Sequence, residues 1–93
     1  MNKLKELQKY SNPETVMSKA QQMGLNPVQI SSRKDKKYMI YDGKKLIHFG
    51  QMGYEDYTKH HDEKRRLNFL KRNHKWAYAP KYSPAFLSYK LLW

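Results

Sequence analysis

Asp62-Glu63-Lys64-Arg65-Arg66-Leu67-Asn68-Phe69-Leu70-Lys71-Arg72-Asn73-His74-Lys75 is the stretch on which the fold turns. Wound as an α-helix and counted from Leu67, it sets Lys71, Lys64, Lys75, Asn68, Arg72 and Arg65, in that order, between about 40° and 160°. Leu67, Leu70 and His74 gather at about 300° to 0°, the sector expected to face a core, while Phe69 stands apart near 200°. Asp62 suits the N-cap, where its charge also complements the helix dipole. Five cations and one amide on an unbroken arc make a surface for a polyanion, although many charged helix faces serve only solvation. The charge of the whole chain weighs on that choice.

The 93 residues form one domain with 19 Lys+Arg against 8 Asp+Glu, a formal charge of +11. The excess is spread out: five cations to two acids over 1–33, five to two over 34–50, and nine to four over 51–93. There is no separate basic tail, so the folded body itself is expected to be electropositive. Such a body attracts nucleic acid, an anionic membrane surface or an acidic protein. Eight Tyr, three Phe and two Trp make the chain too aromatic for a disordered polycation and supply core area to a short sequence. Without cysteine there is no disulfide and no thiolate metal site. No apolar run approaches the ~20 residues that span a bilayer, and the start is too charged for a signal peptide. A soluble protein that is not secreted is expected.

Outward from the basic stretch, residues 2–9 offer a short helix anchored by Leu4 and Leu7, or a frayed basic arm. Ser11-Asn12-Pro13-Glu14 is a firmer start: a capping residue, proline at the first helical position, then an acid. Val16, Ala20 and Met23 follow at helical spacing, and Gly24 with Pro27 closes a helix over 13–23. From Val28 the period becomes two. Val28 and Ile30, then Tyr38 to Tyr41, then Lys44 to Phe49 read as strands, with Asp42-Gly43 as a hairpin turn. A two-residue loop and a loop with a glycine bulge put different residues on the core face, and the alternation leaves both open. Arg33, Lys34, Lys36 and Lys37 sit in the connection between strands, as an ordinary polar turn or as phosphate contacts. Tyr54 and Tyr57 are one helical turn apart. Ser83-Pro84 restarts a short helix, AFLSYKLLW, whose apolar residues lie all round it. Core packing is the default for such a helix; a partner interface through Trp76, Phe86, Tyr89, Leu92 and Trp93 is the sharper alternative.

Several pieces together resemble a family of uncharacterised small basic proteins encoded by nucleocytoplasmic large DNA viruses. They are Ser32-Arg33-Lys34-Asp35-Lys36-Lys37-Tyr38, Lys44-Lys45-Leu46-Ile47-His48-Phe49-Gly50, Gly53-Tyr54-Glu55-Asp56-Tyr57-Thr58 with His60, Asp62, Arg65 and Arg66, and Leu91-Leu92-Trp93. Leu46 is an extra residue relative to the family pattern. The resemblance implies a viral origin, a basic virion or genome-associated role, and residence in the virion and the infected cell, whether viral factory, cytoplasm or nucleus. It carries no catalytic residues with it.

His60, His61, Asn68 and His74 superficially evoke an HNH-type nuclease. Such an enzyme needs ligands converging from a ββα unit and a histidine that activates water. On one helix Asn68 and His74 lie about 120° apart, and the preceding strand offers only His48. The acids Asp56, Asp62 and Glu63 most simply cap helices or pair with neighbouring cations, and Gly50-x-x-Gly53 is too short for a phosphate loop. No catalytic residue, metal set or cofactor is expected.

The expectation is therefore an α+β domain: an N-terminal helix, a small antiparallel meander, the long basic helix and a C-terminal aromatic helix over the sheet. Its function is non-enzymatic nucleic-acid binding, duplex DNA favoured, in packaging or organising a viral genome. Lys64, Arg65, Lys71, Arg72 and Lys75 would contact phosphates, Asn68 a base edge or sugar, and Arg33, Lys34, Lys36 and Lys37 would extend the footprint. Tyrosines among the lysines also suit stacking on unpaired bases. The alternative is a structural virion protein docking on a capsid or core protein through its aromatic C-terminus.

Overall fold

The computed structural model describes residues 2–93. Asn2 caps the short helix α1 (Lys3–Leu7) by accepting from the Leu4 amide, and Leu7 is wholly buried. The N-terminal stretch is thus anchored as a helix. Asn12 caps α2 (Pro13–Gln22), with Pro13 in its first turn. The helix closes at Gly24 (φ +73°), where Gly24 N donates to the Gln21 carbonyl and Leu25 N to the Ala20 carbonyl. That Schellman pairing satisfies two otherwise orphaned carbonyls and needs the left-handed conformation that glycine adopts freely.

Strands β1 (Val28–Ile30), β2 (Lys36–Tyr41) and β3 (Leu46–Gln51) form an antiparallel sheet in the order β1-β2-β3. Val28 pairs with Ile40, Ile30 with Tyr38, Tyr38 with Phe49 and Ile40 with Ile47, so these apolar residues share one face. The register left open by the sequence is set by a four-residue loop, with Tyr41 opposite Leu46. Asp42 accepts from both the Lys44 and Lys45 amides at 2.8 Å and donates its own amide to the Lys45 carbonyl at 3.0 Å. A side-chain acceptor therefore organises this turn, which is neither of the two tighter loops expected.

A single-turn helix α3 (Tyr57–His60) is capped by Asp56, and the basic helix α4 (Glu63–Arg72) by Asp62. A 3-10 turn (His74–Tyr78) leads to α5 (Pro84–Leu87), capped by Ser83, which runs into a π-helical turn (Ser88–Leu92). The i→i+5 winding of that turn brings Leu92 inward beside Leu87 and Leu91, and all three are buried. Helices this short are marginal alone; each buried leucine contributes about 1.5–3 kcal/mol, which holds the segment in place. The three leucines join Leu7, Val16, Ala20, Val28, Tyr38, Ile40 and Phe49 in one core. The architecture is α+β, with the C-terminal helix packed on β3.

Candidate nucleic-acid interface

Helix α4 turns Arg66, Phe69, Leu70 and Asn73 toward the molecule, at the i, i+3, i+4, i+7 spacing of a single face. Phe69 stacks on Trp93 with ring centroids 4.4 Å apart and planes at 9°, and meets Trp76 edge-on at 5.9 Å. Arg66 is a clamp: its Nε donates to the Trp93 carbonyl at 2.9 Å, its Nη1 to Glu63 at 2.9 Å, and its guanidinium lies over the Tyr57 ring. Leu67 does not face the core; it is 56% exposed. With Phe69 captured by the two tryptophans and Arg66 clamped beside it, the helix is turned so that Leu67 stays at the surface.

Lys64, Arg65, Asn68, Lys71 and Arg72 are all exposed on the opposite side. Among the described residues no acid pairs with Lys64, Lys71, Arg72 or Lys75, while Arg65 lies 3.7 Å from Glu55 at the surface. One correction concerns Lys75. The α-helix stops at Arg72, so Lys75 sits on the following 3-10 turn, exposed but outside the helical arc.

The connection before β2 divides. Arg33 and Lys34 are exposed, and Lys34 shares a shallow groove with Glu6, Tyr10 and Gly53, residues remote from α4 in the chain. Lys3 donates to the carbonyls of Ser31 and Arg33, tying this loop to α1. Lys36 is half-buried at the start of β2. Lys37 is not a surface cation at all. It is 2% exposed, and its ammonium donates to Asp56 Oδ2 at 3.0 Å and to the Tyr54 carbonyl at 2.5 Å. Burial pushes its pKa down and the Asp56 carboxylate pulls it back up. Asp56 also accepts from the amide and hydroxyl of Thr58, whose hydroxyl accepts from Asn12 N at 2.9 Å. Ser11 bonds both Thr58 and the Tyr38 phenol, completing a buried polar chain that joins α2, β2 and α3. Every member is partnered, as a low-dielectric interior requires. Burial raises the Tyr38 pKa well above the usual phenol range.

Much of the aromatic C-terminus is consumed internally, as the core-packing default expected, which corrects the alternative for Leu92, Phe86 and Trp93 as docking residues. Leu92 is 2% exposed, Trp93 is sandwiched against Phe69 and His60, and Phe86 packs on the core. Tyr89 is half-buried under Lys90, and Trp76 keeps 37% of its surface. The more exposed aromatics are Tyr78 at 88% and Tyr54 at 70%; Tyr54, expected one helical turn from Tyr57, instead lies in the loop before α3, which begins at Tyr57. Tyr54 sits between the Gly53 bend and two acids, a local signal of an exposed loop tip.

The histidines go separate ways. His48 Nδ1 lies 2.7 Å from the Ser31 hydroxyl, and burial, then Arg33 and Lys3, hold its pKa down. His60 packs among Tyr57 and Trp93 with Nε2 buried and unpartnered; burial and then Arg65 lower its pKa. His61 takes a left-handed conformation at the end of α3, and His74 Nδ1 lies 3.3 Å from the Lys71 carbonyl. Among the described residues no three His, Asp or Glu side chains converge to hold a metal. No helix there is long and apolar enough to cross a membrane.

Comparison with known proteins bears on the same half of the chain. The sequence model of a family of unknown function (DUF5754) matches residues 27–73, from just before β1 to the end of α4. The chain belongs to this family. The matched segment carries Lys37, Gly50 and Asp56 as well as the basic arc, so it contains both the buried ion pair and the exposed cations. No curated protein and no solved structure matches the chain.

Proposed function

We propose that the protein binds nucleic acid through α4 without acting on it chemically. The observation that carries this is the exposed arc of Lys64, Arg65, Asn68, Lys71 and Arg72, with Lys75 just beyond it. Three of its cations have no acidic neighbour of their own among the described residues. A phosphate backbone supplies the missing counter-charge and releases condensed ions as it binds, an affinity that does not depend on sequence. Asn68, in the middle of the arc, reaches a sugar or base edge once the helix is seated. Arg33 and Lys34 add a second basic patch beside α1. Duplex DNA is the partner favoured by the sequence, and the resemblance to small basic proteins of large DNA viruses extends the role to genome packaging or organisation.

The test is a titration of labelled duplex DNA at several salt concentrations. The five cations at α4 give a slope of log K against log salt of about −4.5, and with Arg33 and Lys34 also on phosphates it should be no steeper than about −6.3. Changing Lys64, Lys71 and Arg72 together to glutamine should flatten it by about one for each phosphate contact removed. Affinity indifferent to salt, or no binding in dilute buffer, would overturn the proposal.

A further inference from the structure

Beside the basic helix lies a cleft of about 280 Å³, bounded by Tyr54, Trp76, Gln51, Glu55, Ser88 and Trp93. Tyr54 and Trp76 are its exposed aromatic walls, 70% and 37% accessible. Trp76 is held edge-to-face by Phe69 of α4, and Lys75 immediately precedes it in the chain. The cleft meets the cationic arc at its Arg65 edge, where Arg65 lies 3.7 Å from Glu55 of the cleft margin. An aromatic cleft with acids at its margin is also the form that takes a cationic guest. Of the two acids lining it, Asp56 is committed to the Lys37 ammonium at 3.0 Å, and Glu55, exposed at the margin, has Arg65 3.7 Å away. A further cation would enter a molecule of net charge +11 and compete with Arg65 for Glu55. A flat, neutral ring carried on a polyanion meets neither obstacle.

We propose that this cleft receives one unpaired nucleobase, stacked between Tyr54 and Trp76, of a strand whose phosphates lie along α4. The Gln51 amide and the Ser88 hydroxyl stand at the margin to bond the base edge, whatever its identity. The segment that enters the cleft is thus single-stranded, or an unpaired stretch within a duplex. This rests on the nucleic-acid reading of α4 and adds a preference for unpaired strands to it.

Three probes separate the two: oligothymidylate, an abasic oligonucleotide of equal length, and a duplex of equal length. Stacking one base on an aromatic pair is worth enough that Trp76→Ala and Tyr54→Ala should each weaken oligothymidylate binding about ten-fold. Binding of the abasic strand and the duplex should be unchanged. Tyr54 is so exposed that its variant keeps the fold even if loss of the Trp76–Phe69 contact loosens the other. If Tyr54→Ala binds oligothymidylate as the parent does, or the parent does not prefer it to the abasic strand, the cleft takes no base and the phosphate interface stands alone. If the parent binds none of the three at low salt, both proposals fall. Preferential binding of a lysine-rich peptide, with Trp76→Ala abolishing it, would assign the cleft to a cation instead.

Discussion

Between β2 and α3 the chain accommodates a lysine with almost no water around it. The Lys37 stem passes over Gly50, where an added Cβ would come within 3.1 Å of Lys37 Cβ and 3.0 Å of Leu92 Cδ1. Gly50 also has φ +81°, so a side chain there is disfavoured twice over. The ammonium then reaches Asp56, and the side chains of the pair are 3% and 1% exposed. Removing one partner from such a pair leaves a buried charge uncompensated, typically about 3–5 kcal/mol. Lys37→Met should therefore lower stability in urea denaturation by about 3 kcal/mol or more. Adding Asp56→Asn, which removes the stranded charge but keeps an acceptor for Thr58, should recover part of the loss. A Lys37→Met protein as stable as the parent would mean that the ammonium has water after all. Nothing local marks this residue: Lys34, Lys36 and Lys37 read alike in one basic run. What distinguishes Lys37 is a missing side chain across the strand and a carboxylate 19 residues on.

Helix α4 was legible as an element from its cap, its apolar spacing and its cations, and the exposed direction of its basic arc was legible too. Its inward face was not. A helical wheel weighs Leu67, Leu70 and Phe69 by position only, whereas the tertiary fold weighs what each one meets. Trp93 from the chain's far end and Trp76 from the turn after the helix capture Phe69, while Arg66 is drawn in by the Trp93 carbonyl, Glu63 and the Tyr57 ring. Leu67→Gln should accordingly change stability by less than about 0.5 kcal/mol. Phe69→Ala, which empties the contact with both tryptophans, should cost about 2–4 kcal/mol. Thermal or chemical denaturation of the two variants gives the order directly, and a larger loss at Leu67 would contradict this facing. The hairpin shows the same limit. Asp-Gly announced a turn, but the two bonds to Asp42 that made it four residues long depend on side-chain geometry that a dipeptide signal does not carry.

Across the whole molecule, two histidines resist protonation in the folded state. His48 and His60 both have pKa values held below the ordinary 6.5, chiefly by burial. Around His60 the Arg65 guanidinium adds to that effect, while Asp62, Glu55 and Asp56 oppose it. In the unfolded chain these groups take up protons first, so acid favours unfolding. Stability should be full above about pH 6.5 and decline as pH falls from there toward the lower folded-state values. Asp42, whose pKa is lowered by the Lys45 and Lys44 amides, adds a second loss below the usual carboxylate value of 3.8. Denaturation midpoints measured from about pH 8 to about pH 5 should show the first decline, and His60→Gln should shallow it. A flat profile over that range would count against half-buried histidines that resist protonation.

The sequence by itself determined the α+β class, the caps of α2 and α4, the stop of α2, the order of the three strands, and an electropositive body with cations on one side of a helix. Those follow from short-range periodicity and from charge, which are properties of a chain before it folds. Which way α4 faces, which lysine is buried, where the hairpin turns, and that Trp93 closes the core while Tyr54 and Trp76 line a cleft were decided by the tertiary structure. They depend on pairs of residues distant in the chain competing for the same contact, and on desolvation that exists only once the interior has closed.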